Sequence, residues 1–144
     1  MGSTSDYPVM EKAAKFLNEM EIPFEINALS AHRTPEQVEK FAKNAGNNGI
    51  KVIIAGAGMA AHLPGVIAAM TPIPVIGVPI KASLDGLDSL LAIVQMPPGI
   101  PVGCVGIGEW GARNAAYLAA SIVGLQDEGV RDLYESYRKN LREN

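Results

Sequence analysis

A histidine and an arginine stand side by side in a short polar run at residues 30–35, whose sequence is SAHRTP. An imidazole such as that of His32 can move protons without a cofactor, while the guanidinium of Arg33 can form two hydrogen bonds to a phosphate or a carboxylate. Ser30 adds a hydroxyl beside them. The residues alone leave two interpretations open: His32 is either a general acid and base or a structural or surface histidine.

The second of the chain's two histidines, His62, lies in the run AGAGMAAHLPG at residues 55–65. Gly56 and Gly58 would let the backbone approach a ligand closely, but two glycines after a strand are a weak signal. His62 could donate to an anion or bond a backbone carbonyl. The residues alone favour the structural role for it.

A third candidate is the run GSTSD at residues 2–6. It resembles the loop that joins a strand to a helix in a doubly wound domain, where hydroxyls and free amides at a helix start can cradle a phosphate. The competing interpretation, which the local sequence favours, is that Ser5 or Asp6 only caps the following helix.

The elements that must position these groups follow from hydrophobic periodicity and turn signals. Strands that alternate with helices imply a parallel sheet with helices on both faces. Both histidine runs lie where a strand gives way to a helix, which in an open α/β sheet is the ligand-bearing edge. Helices are predicted at residues 8–20, 35–45, 62–70, 85–95, 112–125 and 128–142, and strands at residues 24–29, 50–55, 74–78 and 102–107.

Three of the helix starts carry capping signals. Thr34 with Gln37 matches a capping box, and Pro35 suits the first helical position. Asp85 and Asp127 are predicted to cap the helices that follow them.

Size, charge and composition limit the class of protein. The 144 residues, 48% of them hydrophobic, suit one domain over residues 1–144. A net charge of -3 gives no general attraction to nucleic acid or to an anionic membrane, and no apolar stretch is long enough to span a bilayer. The single cysteine, Cys104, cannot form an internal disulfide, which fits the cytoplasm. Without metal-site spacing, a Walker loop or a dinucleotide fingerprint, no metal or other cofactor is predicted.

Taken in order, segments at residues 2–6, 30–35, 57–65, 87–97 and 114–116 closely resemble one family. It is the class I N5-carboxyaminoimidazole ribonucleotide mutases, the PurE family, also called the catalytic subunit of phosphoribosylaminoimidazole carboxylase. The resemblance implies a flavodoxin-like three-layer α/β/α domain with a parallel sheet. It also implies a homo-octamer with active sites where subunits meet, and a C-terminal helix that packs on a neighbouring subunit.

The resemblance further implies a reaction of purine biosynthesis that uses no metal, ATP or organic cofactor. The carboxylate of N5-carboxyaminoimidazole ribonucleotide moves to C4 of the ring, through carbon dioxide and aminoimidazole ribonucleotide trapped together. Two alternatives stay open. One is a class II enzyme that carboxylates aminoimidazole ribonucleotide with free carbon dioxide, and the other is a non-catalytic nucleotide-binding scaffold.

Roles for single residues are carried over by motif. His32 would be the general acid and base. Ser3 and Arg33 would bind the phosphate, and Asp6 the ribose hydroxyls. The backbone at Gly58 would approach the carboxylate, with His62 and Leu63 lining the pocket. The full set of predicted substrate contacts is Ser3, Ser5, Asp6, Ser30, Arg33, Gly58, His62 and Leu63.

Two features depart from the family pattern. Relatives place an apolar central strand before the Gly-Ser-x-Ser-Asp loop, whereas this sequence starts within that loop, so the sheet is predicted to lack its usual first central strand. We expect lower stability or activity than in a version extended by such a strand, because its two neighbours would keep unpaired backbone groups. Met59 stands where many relatives carry glycine, and its bulk is expected to be tolerated.

Overall fold

The computed structural model describes residues 1–143 of the chain. A short 3-10 turn at Thr4–Asp6 leads directly into the first helix. The helices are α1 (Tyr7–Glu19), α2 (Pro35–Asn44), α3 (Leu63–Ala68), α4 (Leu87–Val94), α5 (Glu109–Val123) and α6 (Glu128–Glu143). The strands are β1 (Ile53–Gly58), β2 (Val75–Ile80) and β3 (Gly103–Cys104).

These three strands form one parallel sheet in the order β1-β2-β3. β1 pairs with β2 along its whole length, from Ile53 opposite Val75 to Gly58 opposite Ile80. Every residue of β2 is buried, as expected for an apolar parallel strand covered by helices on both faces.

Helices cover the two faces of this sheet with separate apolar clusters. On one face, Phe16 of α1 packs with Ala116 of α5 and Val130 of α6. On the other face, Val38 of α2 packs with Ile67 of α3 and with α4. The predicted flavodoxin-like three-layer α/β/α architecture is therefore confirmed.

Aromatic contacts hold α6 against its own chain. The hydroxyls of Tyr117 in α5 and Tyr137 in α6 lie 2.7 Å apart. The rings of Phe16 and Tyr137 meet edge to face with centroids 5.2 Å apart. One side of α6 is thus occupied within the subunit.

The strand predicted at residues 24–29 is wrong, because no strand forms there in the described structure. Two backbone hydrogen bonds pair this segment with Met1. Met1 N donates to the Asn27 carbonyl at 2.9 Å, and Leu29 N donates to the Met1 carbonyl at 2.8 Å. A strand needs a longer run of such bonds. On its other side, Gly2 N donates to the Gly56 carbonyl of β1 at 3.1 Å. Met1 and Gly2 therefore lie between this extended segment and β1.

Other predicted boundaries move by a few residues. The strand predicted at residues 50–55 lies at Ile53–Gly58. The one predicted at residues 102–107 shrinks to Gly103–Cys104, although Val105 N still donates to the Gly77 carbonyl of β2 at 3.1 Å. Isolated bonds of this kind keep the chain beside β2 without a regular ladder.

Of the three predicted helix caps, one forms and two do not. The Asp127 prediction is confirmed, since its Oδ1 accepts from Val130 N at 3.0 Å. The Asp85 prediction is wrong, because Gly86 stands at the start of α4 and no side-chain cap forms there. The capping box at Thr34 is also wrong, because the Thr34 hydroxyl bonds to the backbone of Ser30 instead.

Candidate active site

The histidine-arginine run folds into a closed turn ahead of α2. The Thr34 hydroxyl accepts from Ser30 N at 3.0 Å and donates to the Ser30 carbonyl at 3.1 Å. The backbone N–H of Thr34 donates to that same carbonyl at 2.9 Å. This turn holds His32 and Arg33 at its tip, where both are exposed.

His32 meets His62 directly. His32 Nε2 lies 2.7 Å from His62 Nδ1, and the two rings are T-shaped with centroids 4.9 Å apart. At this distance one imidazole donates its N–H and the other accepts it, so the tautomer of each ring depends on the other. No sequence pattern indicated this contact, because the two histidines are 30 positions apart in different loops.

Arg33 ties the turn to the start of the chain. Its backbone N–H donates to the Ser30 hydroxyl at 3.1 Å, and its Nε donates to the same oxygen at 3.4 Å. Its Nη2 donates to the Gly2 carbonyl at 3.3 Å. The contact of Arg33 with Gly2 could not be predicted from the sequence, because every residue has a main-chain carbonyl.

The loop after Gly2 forms a closed hydrogen-bonded turn. The Asp6 carboxylate accepts from Ser3 N at 3.0 Å, while the Ser3 hydroxyl accepts from Ser5 N at 3.3 Å and from the Ser5 hydroxyl at 2.9 Å. These bonds cap the 3-10 turn rather than α1, which starts without a side-chain cap. The expectation that Ser5 or Asp6 caps the helix is therefore wrong for α1.

The surroundings of Asp6 make its charged form less favourable. Burial raises the pKa of its carboxyl above the usual value of 3.8. The backbone N–H groups of Ser3 and Gly2, the amino group of Met1 and the Arg33 guanidinium act in the opposite direction, but their combined effect is smaller. Asp6 is thus a half-buried carboxyl beside the cation of Arg33.

Gly58 and Leu63 have structural reasons for their residue type. A Cβ at Gly58 would meet the Ile80 carbonyl oxygen at 3.3 Å, so glycine lets β1 and β2 lie close together at their ends. Leu63 is 3% exposed and belongs to the core on the α2 side. Their roles toward a substrate stay predictions.

Met59 has a φ of 54° and is 60% exposed, so most of its bulk lies in solvent.

All these groups gather at one edge of the sheet. Ser3 follows the Met1–Gly2 segment, His32 follows residues 24–29, and His62 follows β1. Met1 and Gly2 stand between the other two segments, so the chain order reverses at this point. In open α/β sheets, ligands bind at such a switch point, beyond the carboxyl ends of the strands.

In the single chain this site is open to solvent. Two large cavities, of about 730 and 570 Å³, lie elsewhere, and neither is lined by His32, Arg33 or His62. Within residues 1–143, no three His, Cys, Asp or Glu side chains cluster as metal ligands would. None of the described helices is long and apolar enough to cross a membrane.

The reactive groups at the site are two imidazoles, a guanidinium, a carboxyl and hydroxyls.

A pair of histidines beside an arginine does not by itself identify an enzyme class. The AIR carboxylase family model matches residues 1–144. The chain belongs to the AIR carboxylase family.

Members of this family from distant organisms share more than half of the sequence. The N5-carboxyaminoimidazole ribonucleotide mutase of Pyrococcus abyssi is 57% identical over 143 residues, which cover 99% of this chain and 81% of the relative. That of Haemophilus influenzae is 53% identical, covering 97% of this chain and 86% of the relative. The phosphoribosylaminoimidazole carboxylase of Candida glabrata is 54% identical, but the matched region is 25% of that protein.

Solved structures of the family support the fold. The crystal structure of PurE from Treponema denticola superposes with a TM-score of 0.89 at 32% identity, covering 99% of this chain and 89% of that one. A crystal structure of a PurE2 variant from the same organism gives a TM-score of 0.85 at 29% identity, covering 99% of this chain and 88% of that one.

Proposed function

We propose that this member of the AIR carboxylase family is an N5-carboxyaminoimidazole ribonucleotide mutase, an isomerase of purine biosynthesis. The observation that carries the proposal is the His32–His62 pair beside Arg33 and the Ser3–Asp6 turn at the switch point. The mutase name of relatives at 52–57% identity supports it. The reaction moves a carboxylate from the exocyclic nitrogen of the substrate to ring carbon C4, so no atom is gained or lost.

His32 is suited to the proton transfers that this rearrangement needs. When the carbamate C–N bond breaks, carbon dioxide leaves and the exocyclic nitrogen takes a proton from His32. Carbon C4 then attacks the carbon dioxide, and His32 accepts the proton that C4 loses. One proton moves between two substrate atoms, which is the work of a general acid and base. The contact with His62 sets the orientation and tautomer of the His32 ring.

The neighbouring groups match the polar parts of the ribonucleotide. Arg33 uses Nε and one Nη to hold its turn, and a guanidinium has further N–H donors that can contact a phosphate. Ser3 follows Gly2, whose carbonyl Arg33 contacts, and its hydroxyl can donate to that phosphate. The carboxylate of Asp6 can accept from ribose hydroxyls. Ser5 and Ser30 support these side chains by hydrogen bonds.

Retention of carbon dioxide requires a site closed to water, because both fragments must stay together until they recombine. Since the site is open in the single chain, the proposal includes a homo-octamer of one-domain subunits that complete each other's sites. Large exposed apolar side chains support assembly, among them Leu84, Leu87, Leu91, Val94, Trp110 and Leu125. Leu133 and Leu141 of α6 are also exposed and would face a neighbouring subunit.

The proposed location is the cytoplasm, where purine nucleotides are made. Cys104, the single cysteine of the chain, is a free thiol. Free thiols of this kind are typical of reducing compartments. This location is a proposal that localisation of a tagged protein can test.

The activity test uses purified protein with N5-carboxyaminoimidazole ribonucleotide. Conversion to 4-carboxy-5-aminoimidazole ribonucleotide without ATP is the expected result. Addition of isotope-labelled bicarbonate separates the mutase from a class II carboxylase. A mutase should leave the product nearly free of label, whereas appreciable label would mean that free carbon dioxide is the substrate. No turnover of either substrate would contradict both activities.

The first prediction concerns His32→Asn. We expect kcat to fall by at least about 100-fold, the usual contribution of general acid–base catalysis. The melting temperature should stay unchanged because His32 is exposed. Gln37→Asn, at an exposed position of α2, is the matched control and should keep full activity. An unchanged rate in His32→Asn would show that the catalytic assignment is wrong.

A further inference from the structure

Met59 holds a backbone conformation that most L residues avoid. Its φ is 54°, in the left-handed region, where a Cβ atom crowds the carbonyl oxygen that follows it. Glycine has no Cβ and adopts this conformation without that cost. Residues other than glycine that keep such strain cluster at active sites and at ligand clamps. The strain therefore directs attention to the side chain of Met59.

The strained residue lies next to the candidate active site. Met59 follows β1 directly, and two short hydrogen bonds then turn the chain into α3. Ala61 N donates to the Met59 carbonyl at 2.9 Å, and His62 N donates to the Ala60 carbonyl at 2.8 Å. Each bond joins residues two positions apart, so Met59 and His62 belong to one compact turn. The other ring at this place is that of His32, 2.7 Å from His62.

The side chain of Met59 is on the solvent side of this turn. Met59 is 60% exposed and His62 is exposed too, whereas Ala61 between them is 1% exposed. Of the large apolar side chains that are exposed within residues 1–143, Met59 is the one that lies within four sequence positions of His32 or His62. Packing in the core therefore does not account for a methionine here.

The chemistry of a thioether complements that of the other groups at the site. Imidazoles, a guanidinium, a carboxyl and hydroxyls all attract water, whereas carbon dioxide is apolar and must be kept from water and held until it reacts. Methionine is unbranched and has three rotatable bonds, so it can adapt its shape to a small apolar ligand. Met59 thus supplies the flexible apolar group that the polar set lacks.

We propose that Met59 covers the reacting carboxylate, and that its thioether holds carbon dioxide beside the His32–His62 pair until the two fragments recombine. This role rests on the proposed mutase function and deepens it. When the carbamate C–N bond breaks, its electron pair stays on the nitrogen, which takes a proton from His32. Carbon dioxide then either bonds to C4 or leaves the site. Met59 slows the departure and leaves the bond-forming step to the histidine.

The test compares wild type with Met59→Gly on N5-carboxyaminoimidazole ribonucleotide in the presence of isotope-labelled bicarbonate. Without the cover, label per product molecule should rise at least about fivefold and kcat should fall about threefold or more, while KM stays within about twofold. KM is expected to change little because the phosphate and ribose contacts are intact. The variant should be at least as stable to urea as the wild type, because glycine relieves the strain at φ 54°.

Glu21→Gly is the matched control for relief of strain. Glu21 also has a positive φ, of 56°, and is exposed, but it follows the end of α1 that is opposite to the Ser3–Asp6 turn. Its replacement should leave label incorporation and kcat unchanged. Two further variants separate shape from polarity. Met59→Leu keeps an apolar side chain and should retain carbon dioxide, whereas Met59→Gln keeps the length but adds a hydrated amide and should lose much of the retention.

The outcomes separate this role from the mutase function itself. A wild type that does not turn over the substrate would contradict the mutase function and, with it, the role of Met59. If the wild type is active, equal label and equal kcat in Met59→Gly would overturn the role of Met59 alone. Equal losses in Met59→Leu and Met59→Gly would also overturn it. A smaller assembly of Met59→Gly in light scattering would do the same, since Met59 would then hold subunits together.

Discussion

At the residue scale, Asp6 links the stability of the protein to pH. Its folded pKa is raised above 3.8, so the fold favours the protonated carboxyl. That contribution to stability is fully present below pH 3.8 and is lost as the pH rises through the raised folded value. The side chain of the Asp6→Asn variant does not titrate, so the stability of the variant lacks this dependence on pH. The melting temperature of the variant minus that of the wild type should therefore increase as the pH rises from 3.8 toward neutrality.

Asp6→Asn should weaken substrate binding, although it is expected to stabilise the fold as the pH rises. If the ionised carboxylate binds the ribose hydroxyls, Asp6→Asn raises KM about tenfold or more, as expected for lost hydrogen bonds to a charged group. Melting curves and initial rates across the pH range check both effects. A difference in melting temperature that does not change with pH would contradict the proposed desolvation of Asp6.

The chemistry of single residues could be predicted further than their contacts. The residues around His32 and Arg33 left two interpretations of His32 open, and the family resemblance was needed to assign it a proton-transfer role and Arg33 an anion-binding role, both of which stay predictions. The 2.7 Å contact between His32 and His62 could not be predicted, because it depends on the relative position of two loops. The core position of Leu63 was missed for a similar reason: its neighbours in the sequence lie at the site, while its side chain turns into the α2 side of the core.

At the element scale, the start of α5 depends on one close backbone approach. A Cβ at Gly111 would lie 1.6 Å from the Gly106 carbonyl oxygen, so the loop before α5 must shift if any side chain is added. Alanine favours a helix over glycine by about 1 kcal/mol. Overpacking costs about 1–3 kcal/mol, and we expect a cost of about 3 kcal/mol at Gly111 because the atom that the new Cβ meets belongs to the backbone. Gly111→Ala should therefore lower the free energy of unfolding by about 2 kcal/mol, measured by urea denaturation.

Gly106→Ala is the matched control for that experiment. A Cβ at Gly106 would meet no heavy atom within 4 Å. The control is expected to change stability by less than about 1 kcal/mol. Equal effects of the two substitutions would argue against the close approach at Gly111.

Elements with a strong local signal were predicted better than those that depend on a neighbour. The amphipathic pattern of α1 and the apolar run of β2 placed both within two residues of their observed bounds. Residues 24–29 have strand-like composition, but within residues 1–143 their backbone pairs only with Met1. Strand formation depends on this pairing, which composition cannot supply.

At the scale of the whole molecule, α4 carries an apolar stripe toward solvent. Leu87, Leu91 and Val94 recur at helical spacing and are 53%, 43% and 51% exposed. If this stripe is a subunit interface, Leu91→Glu should shift the protein to a smaller assembly, seen by light scattering, with unchanged circular dichroism. Gln37→Glu, which adds the same charge on exposed polar surface, should leave the assembly intact. An unchanged mass for Leu91→Glu would exclude α4 from the interface.

A second prediction at this scale concerns the cavity of about 570 Å³ between residues 24–29 and β1. A version of the chain extended before Met1 by an apolar strand should fill this cavity and pair with residues 24–26. Burial of several apolar side chains stabilises by about 1.5–3 kcal/mol each, reduced by the cost of ordering the strand. A rise in melting temperature of about 8 °C or more is expected, with turnover at least equal. Equal melting temperature and turnover in both forms would contradict this prediction.

The fluorescence of Trp110 offers a way to follow the assembly of subunits. It is the single tryptophan of the chain and is 78% exposed in the isolated subunit. Indole emission shifts to shorter wavelength when the ring leaves water. A subunit that associates through this region would therefore report its own assembly without a label, and dilution of the protein would return the emission to that of a solvated indole.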